Sequence, residues 1–279
     1  MNISWLQSAV LGLVSGLSEP LPLSAEAHRA VLGRFFGLAD FDPFLLLVCH
    51  LASLIVVLLM GRLELKRLRR TAKLLKTPPR RRTVHPELNS AGTLKLLRTA
   101  LPIVLACRLL GIYLTGIEQK LYLLALTLII SGFILHAPVR MRSANKDGRH
   151  LGKLDAALIG IGFGLGAIPG VSGVGAAVSL GQIQGADRRY AVRFAWILLC
   201  VGLAVSMCID ALRIWGAGME WTLSIILSAL IMGICAAVGT ALAVRLMFAL
   251  IRRGGIGISG FCYYNWGLAL LCMALFLLV

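Results

Sequence analysis

Six stretches of this chain are apolar over the length that crosses a lipid bilayer, about 20 residues of helix, and that feature decides most of what the chain can fold into. They run Pro43 to Met60, Thr99 to Thr115, Leu121 to Val139, Tyr190 to Leu212, Trp221 to Leu246 and Ile256 to Val279. In hydrocarbon every backbone polar group must be bonded internally, so spans of this length are helices. With 58% hydrophobic residues and a mean hydropathy of +0.87, residues 1–279 form one membrane domain with no room for a separate soluble one. The N-terminus lacks the basic lead-in and small-residue cleavage site of a secretory signal, so its apolar stretch is expected to stay in the protein.

Two further regions, Asn2 to Phe36 and Leu154 to Gln184, are apolar at both ends but broken in the middle by EPLPLS and IPGVSG. A Pro inside a helix removes a backbone donor and clashes with the preceding turn. In a membrane such a break survives where protein or water satisfies the freed groups, and the exposed helix ends then suit an anion. Each region is predicted to be a re-entrant helical hairpin.

The net charge is +16, and 12 of the 28 Lys and Arg fall between Arg62 and Arg98. Between two spans such a cluster marks the cytoplasmic side. Residues 62–98 are therefore read as a basic cytoplasmic loop whose partners are anionic membrane lipids and not nucleic acid. Arg140 to Lys153, Arg188 to Arg193 and Arg252 to Arg253 fall on the same side, and the turns near Glu118 and Gly216 to Glu220 on the other. This places the first hairpin on the outer face and the second on the cytoplasmic face of the membrane.

The predicted fold is an all-α polytopic membrane protein of two inverted-topology halves, 1–139 and 140–279, each a re-entrant hairpin followed by three transmembrane helices. Sliding the sequence by 148 residues lays Gly12, Gly16, Leu17, Ser24, Leu32, Gly33 and Gly37 on Gly160, Gly164, Leu165, Ser172, Leu180, Gly181 and Gly185. That is the mark of an internal inverted repeat. The Gly pairs at four-residue spacing suit close helix packing. The string GIGFGLG resembles a dinucleotide loop but lacks the strand and soluble unit such a loop needs. All seven Cys lie in apolar stretches without metal-type spacing and read as inert thiols.

The first break holds EPLPLSAEAH, which places Glu19, Ser24, Glu26 and His28 in an otherwise apolar hairpin. Ionisable groups at that depth are expensive and point to function, although Glu26 and His28 could also sit in water at the outer mouth. Ser24 and His28 are four apart and share a helical face, which suits a hydroxyl and base pair. Glu19 could orient the His, bind a divalent cation or activate water. In the second break Ser172 with the backbone of Gly170, Gly173 and Gly175 can form a nest of N–H groups for phosphate. Arg29, Arg108 and Arg213 lie in or beside spans as candidate cations. Arg108 interrupts LPIVLACRLLGIYL, where it needs a partner such as Asp210 or must snorkel.

Over essentially its whole length the sequence resembles the undecaprenyl-diphosphate phosphatase family, the BacA-type bacitracin-resistance proteins. SGLSEPLPLSAEAH is similar to that family's (E/Q)GLTEFLPISSxGH, and PGVSGVGAA to its PGxSRSGAT. FDPFLLLVCHLASLIVVLL and GADRRYAVRFAW resemble the flanking helices. The resemblance implies hydrolysis of a polyprenyl (C55) diphosphate to the monophosphate in cell-wall lipid carrier recycling. It implies catalytic roles for Glu19, Ser24 and His28, and substrate binding by Pro169, Gly170, Ser172 and Gly175. The sequence departs from the motifs at Ser15, where the family has an acid or amide, and at Ala25, in place of a second Ser. It departs again at Gly173 and Val174, in place of Arg and Ser, and at Asn265, where Tyr264 is followed by Arg in the family. With Gly173 where the motif places its Arg, Mg²⁺ held at Glu19 is the expected offsetting cation, and Glu26, Arg29 and Arg108 the further substrate-binding side chains. A homodimer is compatible with the sequence. The alternative is a transporter or flippase of a lipid phosphate or related amphiphilic anion, without hydrolase activity.

Overall fold

The computed structural model describes residues 3–38, 41–78, 85–114, 116–141, 145–217, 222–253 and 260–278. Apart from one isolated bridge between Lys146 and Ala186, the described residues form helices and their connections. Helices α1 (Trp5–Ser18) and α2 (Ala25–Phe36) are followed by α3 (Pro43–Met60), α4 (Arg62–Lys76), α5 (Leu88–Gly111) and α6 (Leu121–His136). Then come α7 (Lys153–Gly164), α8 (Gly173–Ile183), α9 (Arg188–Ala217), α10 (Leu223–Arg253) and α11 (Phe261–Leu278). Helices α3, α5, α6, α9, α10 and α11 are long and apolar enough to cross a bilayer, the pattern of a multi-pass membrane protein.

Local sequence explains where these helices start and stop. Ser4 caps α1 in a reciprocal box with Gln7, and Asp42 caps α3 with Pro43 in the first helical position. Pro20 and Pro22 cannot extend α1, and the chain restarts as α2 when Ser24 accepts a bond from the Ala27 N–H. The second break repeats this, with Ser172 accepting from Gly175 to start α8. Gly37 and Gly185 then close α2 and α8 at φ of 68° and 86°, a left-handed geometry that favours glycine.

The packing pairs α1 with α10 and α7 with α5, while α3 lies on α9 and α6 on α11. Gly12 and Gly16 bring α1 against the Met232 and Ala236 carbonyls of α10, a contact any side chain there would block. The core runs through the middle, where Phe163 of α7 and Phe194, Leu198 and Leu203 of α9 are fully or nearly fully buried.

The structure corrects two expectations. Much of the basic segment 62–98 is helical: α4 is an amphipathic helix whose Leu68 and Thr71 are buried while its Lys and Arg face outward, and α5 already begins at Leu88. Charge interrupts a membrane span but not a helix, so α5 extends upstream of Thr99 and also passes through Pro102. Gly37, read as a packing residue, is a helix cap with open space beside it. Arg80 to Arg82 and residues 218–220 of the expected outer turn lie outside the described residues.

Candidate functional site

The two breaks meet. Ser24 Oγ accepts the backbone N–H of Gly170 at 3.1 Å as well as that of Ala27 at 3.3 Å, which ties the start of α2 to the second break. Trp196 of α9 donates from Nε1 to the Pro20 carbonyl at 3.1 Å and fixes the other side of the first break. Between them lies a small inner cavity of about 40 Å³, room for a water molecule. Glu19, Ser24, Glu26, Arg29, Arg108 and Gly173 are on its wall. Glu26, Arg29, His50 and Arg108 also line a larger cavity of about 440 Å³, which reaches Pro169, Asp210 and Arg213.

The charges in this space form a chain. Glu19 Oε1 lies 3.7 Å from Arg29 Nη1 and 3.6 Å from His50 Nε2, and His50 Nδ1 lies 2.8 Å from Asp210 Oδ2. The first two separations are ion-pair distances, too long for hydrogen bonds. Arg29 Nη1 and Arg108 Nε are buried donors without an acceptor among the described residues. The Arg108 guanidinium sits 5.7 Å from the Phe163 ring centroid, within cation–π range. Asp210, the expected partner of Arg108, belongs instead to His50.

Two sequence expectations change. His28 does not bond the Ser24 hydroxyl: its Nδ1 meets the Ser24 carbonyl at 2.6 Å, and its Nε2 meets the Tyr264 hydroxyl at 2.7 Å. A carbonyl only accepts, so Nδ1 carries a proton, and in the neutral ring Nε2 accepts from Tyr264. The ring, stacked on Tyr264 and only 7% exposed, is therefore fully engaged. The reason is the cap: Ser24 opens the helix, so its carbonyl rather than its hydroxyl faces the residue four along. The phosphate nest is also spent in part, because Gly170 N–H bonds Ser24, Gly175 N–H bonds Ser172 Oγ, and Ser172 N–H bonds Ser131 Oγ. What faces the cavity is the N-terminal end of α8, Gly173 and Val174, whose N–H groups have no intrahelical acceptor. Glu26 lies on the wall of both cavities.

Sequence reasoning missed His50 and Ser131, and it named Asp210 only as a partner for Arg108. His50 and Asp210 are lone ionisable residues inside apolar spans, a signal that was readable, whereas Ser131 gave none.

The sequence profile described as bacitracin resistance protein BacA matches residues 8–271. The chain belongs to the BacA family. Curated relatives named undecaprenyl-diphosphatase include one from a Nocardioides species, 32% identical over 200 residues and covering 70% of each chain. Those from Carboxydothermus hydrogenoformans and Rubrobacter xylanophilus are 29% and 28% identical, covering 96% and 98% of each chain.

Within this BacA-family fold the motif departures have visible surroundings. A Cβ on Gly173 would stand 2.7 Å from the Phe163 carbonyl and 3.3 Å from Gly166 Cα, so α8 and α7 meet backbone to backbone there. Arg108, from α5, shares the inner cavity with that glycine. Asn265 is fully buried and donates to Ser131 Oγ at 3.4 Å, behind Ser172.

Proposed function

We propose that this BacA-family protein hydrolyses undecaprenyl diphosphate, or a closely related polyprenyl diphosphate, to the monophosphate and inorganic phosphate, the activity in its relatives' names. The observation that carries this reading for the chain itself is that buried Arg29 and half-buried Arg108 line one cavity, each with a buried donor, Nη1 and Nε, that has no acceptor among the described residues. A diphosphate supplies what they lack. The relatives' names give no support to a flippase without hydrolysis.

Both acceptor sites of the Ser24 oxygen are taken by N–H groups, so its remaining proton is available to a phosphoryl oxygen. Ser24 is therefore a phosphate ligand and not the nucleophile. Water attacks the terminal phosphorus, Glu19 takes its proton, and the bond from that phosphorus to the bridging oxygen breaks. The lipid monophosphate leaves. Arg29, Arg108 and the α8 N-terminus stabilise charge on the equatorial oxygens, which is where phosphoryl transfer draws most of its catalysis. His28 acts through Ser24, whose carbonyl it holds.

No group of three or more His, Cys, Asp or Glu among the described residues is arranged to hold a metal ion. Mg²⁺ commonly binds one or two carboxylates and completes its shell with water and substrate phosphates, and Glu19 with Glu26 on one cavity wall fits that mode. The ion would supply further charge neutralisation at the diphosphate.

We also propose that the two breaks are re-entrant hairpins of an inverted repeat in a bacterial inner membrane, with α4 on the cytoplasmic face against anionic headgroups. The matching Ser caps, the matching Gly closures and the matched pairing of α1 on α10 and α7 on α5 support it.

The test is phosphate release from undecaprenyl diphosphate by purified protein in lipid nanodiscs. Arg29→Gln and Arg108→Gln should each lower kcat/KM by about 10²–10³. Wild-type rates in Glu19→Gln, or in both arginine variants, would overturn the assignment.

A further inference from the structure

Asp210 and His50 are buried at 3% and 7% exposure, on α9 and α3, inside spans where ionisable groups are costly. Their link is short, 2.8 Å from Nδ1 to Oδ2, and it turns the opposite ring nitrogen toward Glu19 Oε1 at 3.6 Å. On its other side that same oxygen faces Arg29 at 3.7 Å. Glu19 itself is the C-cap of α1, immediately before Pro20: its N–H donates to the Ser15 carbonyl at 3.1 Å and sets the backbone, while the carboxylate takes its direction from the two contacts just named. The remaining charged groups that share the inner cavity with His50 are Glu26 on α2 and Arg108 on α5, and the larger cavity adds Arg34, Glu118 and Arg213.

We propose that His50 and Asp210 are positioning residues for Glu19. Asp210 fixes the imidazole; both neighbours of the ring are carboxylates, which only accept, so it acts with a proton on each nitrogen and, together with Arg29, holds the Glu19 carboxylate at the inner cavity, where it can meet the phosphate end of the substrate. The chain thus brings three elements, α9, α3 and α1, to bear on one carboxylate that lies at a break in the helix. This inference rests on the proposed hydrolase reading, because it gives Glu19 a task that needs direction.

A pair that merely staples α3 to α9 would show different behaviour. Removing one partner of a buried ionic pair destabilises strongly, whereas replacing both by apolar residues of similar size is often neutral or stabilising. The experiment compares Asp210→Leu, His50→Leu, His50→Gln and the double variant His50→Leu/Asp210→Leu in nanodiscs. Thermal unfolding is read alongside kcat and KM for phosphate release from undecaprenyl diphosphate.

The expected result is a double variant that regains most of the thermal stability lost in Asp210→Leu, yet keeps kcat down by about 10²-fold with KM within twofold, as misplacing a reacting group does. His50→Gln, whose amide can still donate to Asp210, should recover part of kcat. A double variant that regains both stability and kcat, or single variants with wild-type kcat, would overturn the positioning role while leaving the hydrolase reading intact. A wild-type protein that releases no phosphate would overturn the hydrolase reading and this inference with it.

Discussion

Ser24 accepts the backbone N–H of Gly170 across 3.1 Å, a bond that joins the two halves of the chain at their helix breaks. It does two jobs with one oxygen, since the same atom caps α2. A hydroxyl so engaged is fixed in direction, which is what a phosphate ligand requires.

Ser24→Ala should therefore be costly in stability as well as activity. Loss of the cap is worth about 1 kcal/mol, and a buried Gly170 N–H left without an acceptor adds about 1–3 kcal/mol. A lowered thermal midpoint and faster hydrogen exchange at Gly170 would register the first effect. Phosphate release would register the second.

Gly173 stands where the family motif has Arg, so restoring Arg might look like a repair. The structure predicts otherwise, because a Cβ there meets the Phe163 carbonyl at 2.7 Å, and backbone cannot yield as a flexible side chain can. Gly173→Ala should cost about 1–3 kcal/mol through overpacking, and Gly173→Arg at least as much. Neither variant should exceed the wild-type rate in a phosphate-release assay. An increase with Arg would mean that α7 and α8 separate readily.

Much of this was legible in the sequence, and the reasons are physical. Spans such as Pro43–Met60 are read directly because a bilayer fixes their length and polarity. The breaks are read because two close prolines, Pro20 and Pro22, and the Pro169–Gly170 pair disrupt a helix more than the lone Pro102 that α5 carries. The site was legible in its residue types but not in its pairings. Helical spacing puts Ser24 and His28 near each other, but only the cap geometry decides that the carbonyl, not the hydroxyl, receives the ring. Long-range partners leave no local trace at all: Asp210 and His50 are 160 residues apart. Arg108 was recognisable as out of place, but its neighbours on α7 and at the first break were not.

His28 offers a test of indirect action. Because it holds the Ser24 carbonyl and is itself held by Tyr264, its effect on rate should pass through Ser24. His28→Ala should lower kcat by about tenfold and Tyr264→Phe by less. The double variant Ser24→Ala/His28→Ala should be little slower than Ser24→Ala, since residues in one contact network do not add. Independent loss of a general acid would instead multiply the two effects, and double-variant kinetics distinguish the cases.

The inverted arrangement makes a prediction about sidedness that does not depend on catalysis. If the halves have opposite topology, the end of α2 and the start of α9, which follow the two hairpins, lie at opposite faces of the membrane. Phe35 is 61% exposed near the end of α2, and Arg189 is exposed in the first turn of α9. In a cysteine-free background, Phe35→Cys should react with a membrane-impermeant maleimide added to intact spheroplasts. Arg189→Cys should react only after the membrane is opened, as should a cysteine at Lys73 on the outward face of α4. Arg34, one residue from Phe35, donates to the Gln119 carbonyl at 2.8 Å and ties the end of α2 to the α5–α6 turn, so those two sites must label alike. Labelling of Phe35→Cys and Arg189→Cys from the same side would leave the two breaks unrelated by inversion, however well their caps and glycines correspond.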